Sequence, residues 1–264
     1  SLVHRIEVEL PQERVRLYDK CVTALIDTWE KAKGLTTEDK TRPFYHYRRR
    51  LLERLAFHLH TSAEASEQAQ IIKAGDLETL VTKFLMEIPS LGWKHDRDTA
   101  QAEAQSFVRL IRSRTGLLVE RGRDSFAFPH PTFQEYLAAC DIEKRCDEVS
   151  EIWSELLPHL HDPHWREVIL LLLGNLNRYD RKPTKLVKLI LDQGRRDPFE
   201  PFVHRHFLLA ARALADRVNV DEDVFEQIVA ELFQSLHNYG PTSNRPIIIY
   251  EDQTYIVPRT TLDI

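Results

Sequence analysis

Three histidines and an aspartate fall within one short stretch, His159, His161, Asp162 and His164, and imidazole and carboxylate are ordinary zinc ligands. The spacing argues against that use. His161 and His164 flank an Asp162-Pro163 helix start, where side chains splay apart, and no H-E-x-x-H occurs. A turn between helices is the better reading. His58 with His60, and His204 with His206, stand two apart on predicted helices and so point to different faces. The nearest approach to a phosphate-cradling G-x-x-x-x-G-K-[ST] is Gly34-Leu35-Thr36-Thr37-Glu38-Asp39-Lys40-Thr41. There Asp39 takes the place of the second glycine, its carboxylate would repel phosphate, and the segment follows a helix rather than a strand. Nucleophilic chemistry fares no better: no G-x-S-x-G occurs, and Cys21, Cys140 and Cys146 sit on predicted helix faces. No catalytic residue and no metal ligand is expected.

Basic side chains could serve phosphate contact instead, and Arg109, Arg112, Arg114, Arg121 and Arg123 are conveniently placed for it. Between Asp98 and Arg145, however, seven basic residues face seven acidic ones, so nucleic acid is a weak alternative. The run Arg48-Arg49-Arg50 reads as an exposed helix face. Over the whole chain the net charge is −5 and the pI about 6.2, which gives no general attraction to nucleic acid or to an anionic membrane. Three cysteines without a C-x-x-C pair suggest reduced thiols and a cytoplasmic setting. No apolar stretch approaches the length of a membrane span. The absence of an initiating Met is read as the mark of an excised fragment.

The elements that must position these residues are mostly helical. A charged fraction of 29%, an apolar fraction of 42% and only 8 glycines in 264 residues disfavour an all-β design. Tyr18, Cys21, Val22, Leu25 and Trp29 share one face of a helix between Pro11 and Gly34. Pro43 opens a second, with Leu51, Leu52, Leu55 and Leu59 in one stripe. After Ile71-Ile72, Asp76 is a candidate N-cap for a helix bearing Leu77, Leu80, Val81, Phe84 and Leu85. A fourth follows an Asp98-x-x-Gln101 box and presents Ala104, Phe107, Val108 and Ile111. Leu117–Glu120 and Ser125–Phe128 then flank a glycine-containing turn, a β-hairpin. Three helices and a hairpin in that order make a winged helix. Thr132-Phe133-Gln134-Glu135 forms a capping box for the next helix, whose apolar face is Phe133, Tyr136, Leu137 and Cys140. Beyond it come shorter segments, 152–160, 163–176, 183–193, 201–217 and 221–237, several opening at proline. That rhythm suggests HEAT-like helical hairpins. Pro246 to Pro258 breaks it with an isoleucine- and tyrosine-rich hairpin, which closes the array or opens another domain.

The string Thr115-Gly116-Leu117-Leu118-Val119-Glu120, with Phe126-Ala127-Phe128-Pro129-His130-Pro131-Thr132-Phe133-Gln134-Glu135-Tyr136-Leu137-Ala138-Ala139, resembles the end of the winged-helix region of NACHT-family signal-transduction ATPases. Leu10-Pro11-x-x-Arg14-x-x-Leu17-Tyr18 resembles the family's helix after the ATPase core, and Trp165-Arg166-Glu167-Val168-Ile169 the first repeat beyond the winged helix. The resemblance implies four segments: a post-core helix (1–42), a winged helix (43–147), a helical-repeat region (148–238) and a C-terminal tail or hairpin (239–264). It further implies a switch in which ADP holds a closed form and exchange for ATP, with magnesium, opens it for self-association. The nucleotide would belong to the parent protein, with no cofactor held by this chain alone. The partner would be an ATPase core upstream in the same chain, and a role in defence signalling is expected from the family. Within that scheme the histidine between wing and capping box, His130, would contact the β-phosphate of ADP; the alternative is that it only caps or packs at a strand-to-helix corner. A free-standing helical scaffold and a DNA-binding winged helix are the alternatives.

Overall fold

The computed structural model of the chain describes residues 13–31, 42–62, 71–112, 116–238, 247–250 and 253–256. The chain divides into two compact units, residues 1–176 and 177–264, whereas the sequence places boundaries at 42, 147 and 238.

In the first unit, α1 (Arg14–Lys31) precedes α2 (Pro43–Ser62), a short strand β1 (Ile72–Lys73), α3 (Ala74–Glu87) and α4 (Arg97–Arg112). The wing comes next, as β2 (Val119–Glu120) and β3 (Ser125–Ala127). The expected apolar stripes turn inward: Leu51, Leu52, Leu55 and Leu59 of α2 are buried, as are Leu77, Val81, Phe84 and Leu85 of α3 and Ala104, Phe107, Val108 and Ile111 of α4. Leu80 and Tyr18 are half-buried.

The sheet has three strands where the sequence suggested two. β1 pairs with β3 as Ile72↔Phe126 and Lys73↔Ser125, and β2 with β3 as Val119↔Ala127, all antiparallel. A two-residue strand has too little alternation to register as a pattern. In the wing turn Gly122 takes φ +83°, a left-handed conformation that costs glycine little, and Arg121 N–H donates to Ser125 O at 2.7 Å. Ala74 N–H donates to Asp124 O at 2.9 Å and ties the wing to α3.

Three helix starts differ from their sequence assignments. Helix α3 begins at Ala74 with Lys73 as N-cap, so Asp76 lies in its first turn, where a carboxylate complements the dipole. Asp96 rather than Asp98 closes the start of α4, its Oδ1 accepting from Thr99 N at 3.1 Å. The helix after the wing, α5 (Pro131–Arg145), is capped by His130 and not by Thr132.

Helix α5 is buried from Gln134 to Glu143 apart from half-buried Glu135, because α2, α1 and α7 (Arg166–Asn175) all pack on it. A short α6 (Val149–Leu156) joins α5 to α7 and opens with a reciprocal capping box between Glu148 and Glu151. Charge inside this packing is paired. Glu53 and Asp141 are fully buried; Lys144 Nζ reaches Glu53 at 2.6 Å, and Arg50 and Arg54 reach Asp141 at 3.0 and 3.3 Å. Arg49 binds Asp19 at 2.6 Å and Glu53 at 3.1 Å. The Arg48–Arg50 run is therefore no exposed face: Arg49 and Arg50 neutralise the carboxylates between α1, α2 and α5, and Arg48 lies over the Tyr45 ring.

In the second unit, α8 (Lys182–Arg196) packs against α10 (Arg205–Ala215), which packs against α11 (Glu222–Asn238). The single helix expected over 201–217 is split. His204 adopts φ +49°, dividing α9 (Glu200–Val203) from α10, and the Glu200 carboxylate then caps α10 by accepting from His206 N and Phe207 N. Strands β4 (Ile247–Tyr250) and β5 (Gln253–Ile256) form the expected C-terminal hairpin. Pro11, Gly34 and the phosphate-loop lookalike 34–41 lie outside the described residues.

Candidate functional site

His130 stands where the wing runs into α5. Phe126, Ala127 and Phe128 are buried beneath the wing, Pro129 leads out, and His130 emerges exposed in extended backbone (φ −140°, ψ 132°). Pro131 comes next at the first helical position, where its missing N–H costs nothing. The imidazole takes the part usually given to serine or aspartate: Nδ1 accepts from Thr132 N at 3.3 Å and lies 2.9 Å from Thr132 Oγ1. A backbone N–H can only donate, so Nδ1 is the acceptor and the neutral ring carries its proton on Nε2. His130 thus offers one N–H donor at the positive end of a 15-residue helix. The phenyl ring of Phe133 meets it edge-on at 6.4 Å.

The helix start supplies little else to an anion. Pro131 has no N–H, Thr132 N–H is taken by the imidazole, and Phe133 N–H donates to His130 O at 3.2 Å. A phosphate here would be met by a side-chain donor and a dipole, not by the bare amides expected from a helix N-terminus.

Helices α1, α5 and α7 pack on one another. Arg14 pairs with Glu167. Glu135 is pushed above the usual carboxylate range by burial first and by Glu167 second, against the opposing pull of His164, His130 and Arg14.

The other chemistry-bearing residues have structural employment. His164 stacks on His60 at 3.9 Å and 8°, and His159 stacks on Trp165 at 3.9 Å and 11°. Asp162 Oδ1 accepts from His164 N at 2.8 Å, the hydrogen bond of a tight turn. His58 is exposed while His60 is buried, as a spacing of two on a helix requires. Burial pushes His60 down to about 3, with like charge from His164 next in weight. His206 is buried with Nδ1 2.8 Å from Glu200 Oε2. All three thiols are free and pushed up by burial, Cys140 to about 11, so none is a ready nucleophile. Of the arginines considered for DNA, Arg109 donates to Ser106 Oγ, Arg121 and Arg123 are exposed on the wing, and Arg114 lies outside the described residues.

The buried Glu53–Asp141 network has almost no signature in the sequence. Its signal is Asp141, an acid set directly after the apolar run Tyr136-Leu137-Ala138-Ala139-Cys140.

Comparison with known proteins agrees with this architecture. Residues 14–142 match the family model described as a winged helix-turn-helix domain C-terminal to NACHT. No curated protein and no solved structure gives a significant match.

Proposed function

Residues 14–142 belong to the family of winged helix-turn-helix domains C-terminal to NACHT, and from that premise we propose that the chain is a regulatory, non-catalytic region of a NACHT-type nucleotide switch. It covers the nucleotide site of an ATPase core upstream in the same polypeptide, holds that core in its ADP-bound closed form, and on exchange for ATP releases it to self-associate. The matched domain is the one C-terminal to NACHT; phosphate transfer and the magnesium that accompanies it belong to the upstream core. The setting proposed is the cytoplasm; among the described residues no helix is long and apolar enough to cross a membrane.

The observation that carries this reading is the placement of His130. It is exposed, at a helix N-terminus, with Nδ1 committed to the backbone and Nε2 left as a donor. A phosphate oxygen accepting from Nε2–H would couple the nucleotide to the start of α5, which packs on α1 and α7. ADP supplies the anion; the chain supplies the donor and the helix behind it.

The test is a calorimetric titration of ADP into this chain and into one extended upstream through the NACHT domain, each with His130, His130→Ala and His130→Asn. The expected result is binding by the extended chain only, weakened about tenfold or more by both substitutions, as loss of one hydrogen bond to a charged group implies. Binding that is indifferent to His130 would make it a cap and nothing more. Failure of both chains to bind would favour a helical scaffold without a nucleotide role.

A further inference from the structure

Helix α3 has two faces of different character. Leu77, Val81, Phe84 and Leu85 form its buried stripe. Gly75, Glu78, Thr82, Lys83 and Met86 recur at i, i+3, i+7, i+8 and i+11, a second continuous face of the same helix. That face lines a cavity of about 370 Å³. Lys94, from the single turn Trp93–His95, and Arg97 and Gln101, from the first two turns of α4, complete the lining. Small-molecule pockets run from about 300 to 1,000 Å³, and at about 30 Å³ per water the space equals that of about a dozen waters. That is more than one phosphate needs.

The charge in the cavity is unbalanced. None of the Lys83, Lys94 and Arg97 side chains has an ion-pair or hydrogen-bond partner among the described residues. Two acids share the lining, but Glu87 is engaged by Arg54 of α2 at 3.6 Å, which leaves Glu78 against three cations. The excess is felt beyond the cavity: after burial, the charge of Lys83 is the next cause holding His58 below the usual histidine range. The Thr79 and Thr82 hydroxyls are turned back to the helix, donating to Gly75 O and Glu78 O at 2.9 and 2.7 Å. The donors left for a ligand are therefore the three cations and the Gln101 amide. A concave site with an excess of one charge concentrates ligands of the opposite charge.

We propose that this cavity binds a small polyanion, a molecule with two or more phosphoryl or carboxylate groups. Arg97 grips one group through its fork of N–H donors, and Lys83 and Lys94 meet another as point charges. A ligand held in this way joins α3 to the start of α4 and stabilises the winged helix by mass action.

Calorimetric titration of inorganic pyrophosphate and of citrate into the full 264-residue chain tests this, at low ionic strength because 0.1 M salt screens exposed charges beyond about 10 Å. The expected result is saturable binding, the tighter probe naming the recognised group as phosphoryl or carboxylate. Lys94 and Arg97 are exposed, so Lys94→Ala and Arg97→Ala should fold normally, and each should weaken binding about tenfold or more, as loss of one charge-assisted hydrogen bond implies. Glu78→Gln removes the opposing acid and should tighten binding about threefold, a gain that misfolding cannot imitate. His130→Ala should leave it unchanged, which keeps this site separate from the nucleotide contact. The absence of saturable binding by either probe would overturn the proposal, as would binding indifferent to Lys94 and Arg97. An equal loss on combining Arg121→Ser with Arg123→Ser, which takes the same charge from the wing, would overturn it in favour of general attraction to the surface.

Discussion

The cap seen at His130 and the phosphate contact proposed for it can be separated. As N-cap its Nδ1 accepts from Thr132 N; as a donor its Nε2 is offered outward. His130→Ala removes both, and loss of a cap costs about 1 kcal/mol, readable as a lower midpoint in chemical denaturation. His130→Asn keeps a side-chain acceptor at the cap, so it should restore most of that stability while leaving ADP binding by the extended chain impaired. Equal stability of all three proteins would show that the cap contributes nothing. The residue itself was legible through the string that surrounds it. Capping was the alternative role open to it at that strand-to-helix corner; Thr132 and Glu135 satisfy the commoner S/T-x-x-E pattern and competed for the position, while Pro131, which favours the first helical position, pointed to His130.

At the scale of elements, α1 depends on close approach. A Cβ on Gly174 of α7 would come 2.7 Å from Val15 Cγ1, and one on Gly116 would come 2.8 Å from Leu25 Cδ2. Gly174→Ala should therefore destabilise the chain by about 1 kcal/mol, overpacking outweighing the gain in helix propensity. In a Val15→Ala background the same substitution should become stabilising. Thermal unfolding of the four proteins gives the double-mutant cycle, and an unchanged sign would mean that α1 does not hold this position. The buried charges make a second demand on the same packing. Asp141→Ala leaves Arg50, Arg54 and Arg145 clustered without their shared carboxylate, and breaking a buried pair in this way costs about 3–5 kcal/mol. A loss below about 1 kcal/mol in urea denaturation would show that water screens the network. Helix periodicity could not reveal it, since Arg48-Arg49-Arg50 looks the same whether it faces solvent or a neighbouring helix.

For the molecule as a whole, acid should act first on the first unit. His60 is held down to about 3 by burial and by His164, while Asp162 pulls the other way and His159 adds to the depression. An unfolded histidine titrates near pH 6.5, so between about pH 6.5 and 3 the unfolded chain binds the extra proton. Stability is full above that window and declines as pH falls through it. His60→Phe, which keeps a flat ring against His164 and Trp165, should flatten the decline; an identical pH profile in the variant would remove His60 as its source. Much of this protein was already determined by its linear order. Apolar spacing placed the helices, a glycine-containing turn between short apolar strings marked the wing, and one motif singled out His130. Those are local properties, set by periods of 3.6 and 2 residues and by turn chemistry. The tertiary structure alone decided the nonlocal features. It added the third strand from residues too few to show a period, paired Glu53 and Asp141 with cations far away in sequence, and broke the helix at His204, where Glu200 caps the start of α10. It also stacked His164 on His60 and His159 on Trp165. Each depends on which surfaces meet, and that is a property of packing which no window along the chain contains.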